Sequence, residues 1–63
     1  MELKNKILNI RQQRELTQKQ FANTLNVTKQ TVSKWELGKA KPKLKYLKLI
    51  TKIYCINLQN LIE

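Results

Sequence analysis

"NVTKQTVSKWE", residues Asn26 to Glu36, decides the fold. It has the length of a short helix, yet only Val32 and Trp35 are apolar within its body. At about 100° per residue, Val32 and Trp35 share one side with Thr28, while Gln30, Ser33 and Lys34 gather opposite and Lys29 lies at the flank. Thr28 suits the start, because a threonine hydroxyl accepts from a first-turn backbone N–H. Gly38 suits the end, where a left-handed residue commonly closes a helix. The spacing therefore predicts a helix over Lys29–Leu37 that is held down along one edge and presents hydrogen-bonding groups along the other.

Toward the N-terminus, Thr17 opens "TQKQ", with Gln20 three residues on in the capping-box pattern. A helix over Gln18–Leu25 follows, with Phe21, Ala22 and Leu25 inward. Asn26 fits its C-terminus, since Asn tolerates the left-handed region better than most residues. A first helix is expected over Glu2–Arg14. Leu3, Ile7 and Ile10 form its apolar stripe and Leu8 lies off it. Glu2 near the positive end of the helix dipole and Arg11 and Arg14 near the negative end favour that register.

Toward the C-terminus, "GKAKPKLK" is a loop carrying Lys39, Lys41, Lys43 and Lys45. Pro42 stops the preceding helix from continuing and sits near the start of the next. That fourth helix runs to Tyr54, with Leu44, Leu47, Ile50, Ile53 and Tyr54 as inward residues. "YCIN" interrupts it, and Asn57 caps a last short helix bearing Leu58, Leu61 and Ile62. With no repeat, low-complexity tract or convincing strand, the chain reads as one all-α domain, residues 1–63, a compact bundle of about five short helices.

Composition narrows the partner. Thirteen Lys and Arg oppose four acids, for a net charge of +9 over 63 residues. Such a field favours a polyanion: nucleic acid, an acidic membrane surface or an acidic protein. A chain this short buries only roughly 60% of its unfolded surface, so one modest core, or pairing with a copy, must hold it. There is no His, no Asp, and a single cysteine, Cys55. Zinc ligation, a disulfide within the chain and a nucleophile relay are thereby excluded, and no cofactor is expected. Cys55 reads as a packing residue. "MELKNKILNI" mixes charges into its apolar residues and no stretch approaches a membrane span, so a reducing cytoplasm is the expected location.

Two short helices joined by a three-residue turn, with Asn26 placed in its middle, make a helix-turn-helix. Ala22 supplies the small side chain that a close helix crossing needs. Val32 and Trp35 bury one edge of the second helix, and its other edge is free to enter a groove.

"LTQKQFANTLNVTKQTVSKWELGKAKP" resembles the helix-turn-helix of the lambda-repressor-like, Cro-type family, also called the xenobiotic response element family. The likeness extends over about Leu3 to Ile62 and rests on the spacing of Gln18, Ala22, Asn26, Val32, Trp35, Glu36 and Gly38, with an echo in "INLQNLI". It implies that Lys29, Gln30, Ser33 and Lys34 face base edges in the major groove; Gln suits adenine and Lys guanine. It implies that Gln18 binds a phosphate, that Thr28 adds a phosphate contact, and that Arg11 and Glu36 form an ion pair tying helix 1 to the end of helix 3. The place of Lys39, Lys41 and Lys43 directly after the reading helix favours phosphate contact for them as well. Three positions depart from the pattern. Leu37 stands where a polar residue, often Asn, is usual; Asn26 and Cys55 stand where glycine is frequent, and Cys55 is strained if its φ is positive.

The function expected is sequence-specific binding of double-stranded DNA by a transcriptional regulator, a repressor, acting as a homodimer on a palindromic operator. The alternative is an antitoxin or other protein-interaction module that also regulates itself through DNA, which would give the chain a protein partner. A membrane-active peptide fits less well, because each helix has its own cap and stripe, and no membrane partner is expected. Enzyme activity is not expected. Leu58, Leu61 and Ile62 serve either a dimer interface or the monomer core. No appended ligand-binding domain is expected, so any switch acts through dimerisation, degradation or a partner.

Overall fold

Five helices succeed one another along residues 2–62, which the computed structural model describes: α1 (Leu3–Gln13), α2 (Gln18–Leu25), α3 (Lys29–Leu37), α4 (Leu44–Tyr54) and α5 (Leu58–Ile62). There is no strand among these residues. The all-α bundle is the one the periodicity predicts.

Side-chain caps set where α2 and α3 begin. The Gln20 N–H donates to Thr17 Oγ1 at 3.0 Å, and the Thr17 N–H donates to Gln20 Oε1 at 2.9 Å, so both halves of the capping box form. The Thr31 N–H donates to Thr28 Oγ1 at 3.1 Å at the start of α3. Each cap replaces water on an otherwise unpaired N–H and stabilises by about 1 kcal/mol.

Left-handed residues set where these helices stop. Asn26 has φ 58° and Gly38 has φ 76°. The reversal at Asn26 lets Val27 N–H reach back to Ala22 O at 3.1 Å, and the reversal at Gly38 lets Lys39 N–H reach Lys34 O at 2.9 Å. Asn26 is the first of the three linking residues, not the middle one, because the reversal must fall directly after the last helical turn. Cys55 closes α4 at φ 55°, in the positive region where its side chain is strained. Glu15, at φ 54°, turns the chain between α1 and α2 without any glycine to signal it.

α1 is one residue shorter at each end than Glu2–Arg14. Glu2 holds the capping position with no side-chain hydrogen bond, and Arg14 has already left helical geometry at φ −99°, ψ 5°.

The core takes side chains from every helix: Ile7 and Ile10, then Phe21, Ala22 and Leu25, then Val32 and Trp35, then Leu47 and Ile50, and Leu61. Burying each large aliphatic or aromatic side chain contributes about 1.5–3 kcal/mol. α2 packs on α3 and on α4, while α1 packs on α3 and α5. Tyr54 stacks on Phe21 with ring centroids 5.4 Å apart, and Tyr46 lies tilted against Trp35 at 5.7 Å.

Leu44 and Ile53 correct the inward list for α4. They are 54% and 40% exposed, whereas Leu47 and Ile50 are buried. Spacing by three falls short of the 3.6-residue turn, so each step rotates the side chain by about 60° around the axis. Leu44 and Ile53 therefore end on opposite flanks, with Leu47 and Ile50 between them on the covered side.

Candidate nucleic-acid interface

The edge of α3 opposite Val32 and Trp35 is open. Lys29, Gln30 and Lys34 are exposed and Ser33 is half-buried, while Val32 is 0% and Trp35 3% exposed. Four donor groups of three geometries thus stand on one rod: an ammonium at each end and an amide between, with a hydroxyl beside them. No part of the described chain hydrogen-bonds to these four side chains.

Leu37 continues the same edge. It follows Gln30 by seven residues and Ser33 by four, and it is 59% exposed. The helical spacing carries this signal, since residues four apart share a face.

Thr28, exposed at the start of α3, exchanges a 2.8 Å hydroxyl bond with Thr31 Oγ1 while capping the helix. When Thr31 donates, the Thr28 proton is left to point outward. Lys39, Lys41 and Lys43 follow α3 in the exposed loop. None of Lys29, Lys34, Lys39, Lys41 or Lys43 pairs with an acid among the described residues. Their charge is therefore available to an outside polyanion.

The orientation of α3 is fixed from behind. Arg11 Nε donates to Glu36 Oε2 at 2.6 Å and Arg11 Nη2 to Glu36 Oε1 at 3.1 Å. Its remaining prong, Nη1, donates to Leu16 O at 2.8 Å. Gln18 does not stand free at the start of α2: its Nε2 donates to Glu36 Oε1 at 2.9 Å. Sequence reading missed this bond, because nothing in the spacing of Gln18 and Glu36 announces a contact between different helices.

Other chemistry is sparse. Among the described residues there is no group of three His, Cys, Asp or Glu that could hold a metal ion, and Cys55 is an exposed free thiol. No described helix is long and apolar enough to cross a membrane.

Capped helices, a reversed turn at Asn26 and an open edge on the second helix define a helix-turn-helix protein. The helix-turn-helix family profile matches residues 7–61. The chain is also 37% identical, over all 63 of its residues, to the HTH-type transcriptional activator BcrR of Enterococcus faecalis, and spans 31% of that protein's length. No solved structure matches it. The chain belongs to the lambda-repressor-like, Cro-type helix-turn-helix family.

Proposed function

We propose that the chain is a sequence-specific, double-stranded-DNA-binding module of a transcription regulator, reading the major groove with α3. The observation that carries this reading is the bare polar edge of α3, where Lys29, Gln30 and Lys34 are exposed beside Ser33 on a helix anchored by Val32, Trp35 and Glu36. Base edges supply what these side chains lack: acceptors on guanine for lysine, and a donor–acceptor pair on adenine for Gln30. Gln18, Thr28, Lys39, Lys41 and Lys43 take phosphates on either side and fix the register without reading sequence.

Two copies on a palindrome complete the proposal. Leu37 and Ile62, 59% and 56% exposed, line a groove of about 490 Å³ together with Leu3, Ala40 and Pro42. A second copy resting on the Leu3 and Ile62 side would remove apolar surface from water while leaving Lys41, which lines the same groove, to a phosphate and Leu37 to the edge that α3 turns to the duplex. Of the three candidates on the last helix, Leu61 is 2% exposed and belongs to the monomer core, Leu58 is half-buried against that core, and Ile62 stays exposed for pairing.

The direction of regulation follows from where the site lies. A site overlapping a promoter gives repression, which we propose here; the relative BcrR is described as an activator, and a reporter carrying the site at varied positions reads the sign.

Selection of bound duplexes from a random pool tests the whole reading. One enriched motif with two inverted half-sites about 34 Å apart is expected. A pool that stays unenriched removes the proposal, and a co-purifying protein in place of a motif would point to an antitoxin-like module.

A further inference from the structure

The lysines along α4 have no place in the DNA reading above. Between Glu36 and Glu63 the chain carries six lysines and no acid. Three of them, Lys45, Lys48 and Lys52, are exposed on α4 and stand within about 60° of one another around its axis. None meets an acid among the described residues. Half-buried Tyr46 tilts against Trp35, so α4 lies on the inner side of α3, behind the edge that carries Gln30 and Ser33. Lys48 and Lys52 stand about 160° and 120° round the α4 axis from Tyr46 and therefore turn away from α3. Beside this stripe lies a groove of about 390 Å³ lined by Leu25, Asn26, Lys45, Tyr46 and Leu49. Lys45 leans over the Tyr46 ring, its Nζ 5.0 Å from the centroid, so a cationic rim adjoins an apolar floor.

We infer that this side of α4 docks an acidic amphipathic helix of another protein, with carboxylates on Lys45, Lys48 and Lys52 and one apolar side chain in the groove beside them. Charge complementarity selects the occupant: unpaired ammonium groups with no acid among them attract carboxylates and disfavour a second copy of so basic a chain on this face. The three lysines follow one another by three and four residues, so glutamates at the same spacing on a facing helix meet them in turn. A phosphate chain would engage the lysines and leave the groove unfilled, whereas an acidic helix with one leucine occupies both. The face is one helix long, so the contact is transient and weakens with salt. Because it leaves the outer edge of α3 uncovered, the chain can hold a duplex and this partner together. The inference goes beyond the DNA reading and does not depend on it.

The probe is a synthetic helical peptide with glutamates at that spacing and a leucine beside them, titrated into the chain already bound to its selected duplex. A peptide with glutamine in place of each glutamate is run alongside. The glutamate peptide is expected to bind about tenfold more tightly than the glutamine one, and to shift the backbone amide resonances of Lys45, Tyr46, Leu49 and Lys52 while the duplex stays bound. Lys48→Ala with Lys52→Ala should lower peptide affinity about tenfold, the scale of two exposed ion pairs, and leave duplex affinity in place. Equal binding of the two peptides, or shifts spread evenly over the surface, would overturn the inference. So would release of the duplex by the peptide, which would mean that the anion site is the edge of α3. If the double variant weakens duplexes as Lys41→Ala does, the stripe takes phosphate and the inference is wrong while the DNA reading stands. Vesicles of phosphatidylglycerol that bind wild type and not the double variant, where the peptide binds neither, would replace the protein partner by a membrane surface. If wild type prefers no duplex, the DNA reading fails, and the same titration on the free chain still decides this one.

Discussion

Arg11 and Glu36, twenty-five residues apart, face each other as a two-pronged pair, Nε to Oε2 at 2.6 Å and Nη2 to Oε1 at 3.1 Å. Their side chains are only 16% and 6% exposed. Removing one partner strands the other where water cannot replace it. Arg11→Ala or Glu36→Ala should therefore lower unfolding free energy by about 3–5 kcal/mol. Urea titration measures it. Replacing both by apolar residues of similar volume should lose less than either single change, because no uncompensated charge remains. Additive losses in that cycle would mean the pair holds no special place between α1 and α3.

Gly38 tests which of two effects limits a side chain at the end of α3. Its φ is +76°, and a Cβ there would lie 3.0 Å from Lys4 Cδ. The Lys4 chain is flexible and half-exposed, so it can move aside. Backbone strain then dominates, and Gly38→Ala should cost about 1–2 kcal/mol. Truncating Lys4 to alanine in the same protein should restore little. Full recovery on truncating Lys4 would show that crowding, not dihedral strain, sets the cost.

Cys55 offers the opposite change. It holds φ 55° with its side chain exposed. Cys55→Gly removes the dihedral penalty but enlarges the freedom of the unfolded chain. The first effect is of order 1–2 kcal/mol and the second about 0.4–1 kcal/mol, so the melting temperature should rise modestly. Cys55→Val should lower it, since a β-branched residue fits that region worst. Equal melting points for Gly and Val would remove strain from the account of how α4 ends.

Tyr54 ties α4 to α2 and to the residue that closes α1 through different atoms. Its ring stacks on Phe21, its hydroxyl meets Thr24 Oγ1 at 2.6 Å, and its carbonyl accepts from Arg14 Nη2 at 2.8 Å. Thr24 Oγ1 also donates to Phe21 O at 2.7 Å, so the tyrosine must be the donor between the two hydroxyls. Tyr54→Phe loses that exposed bond alone and should cost at most about 1 kcal/mol. Tyr54→Ala also removes the ring from Phe21 and should cost several times more in the same urea titration. Near-equal losses would place the weight on the hydroxyl and not on stacking.

These residues also show what could be read in advance. Thr17 with Gln20, Thr28 and Gly38 act within one turn of their own backbone, so their spacing alone located the ends of α2 and α3. Val32 and Trp35 followed from the same local period. Glu15 did not, because nothing in its residue type announces the left-handed turn that brings the Leu16 N–H back to Arg11 O at 3.2 Å. Leu44 and Ile53 misled because apolarity states that a side chain gains from cover, not that a neighbour is there to supply it. The Gln18–Glu36 bond was out of reach for a related reason: a contact between helices depends on crossing geometry that no single-helix pattern contains. The open edge of α3, by contrast, was visible in its residue types.

The division of that edge from the lysine loop gives the last prediction. Gln30 is exposed on α3, and Lys41 lies in the loop after it with no acid beside it among the described residues. If Gln30 reads a base, Gln30→Ala should relax preference at one position of the selected site by about 1–3 kcal/mol and leave the salt dependence nearly as it was. If Lys41 neutralises a phosphate, Lys41→Ala should weaken every duplex alike. It should also reduce the slope of log K against log salt by about 0.9, the share of one phosphate's released counterions. Binding measured at four salt concentrations on matched and single-substituted duplexes separates the two. Should Lys41→Ala alter base preference, or Gln30→Ala flatten the salt slope, the assignment of reading to α3 and of anchoring to the loop would have to be exchanged.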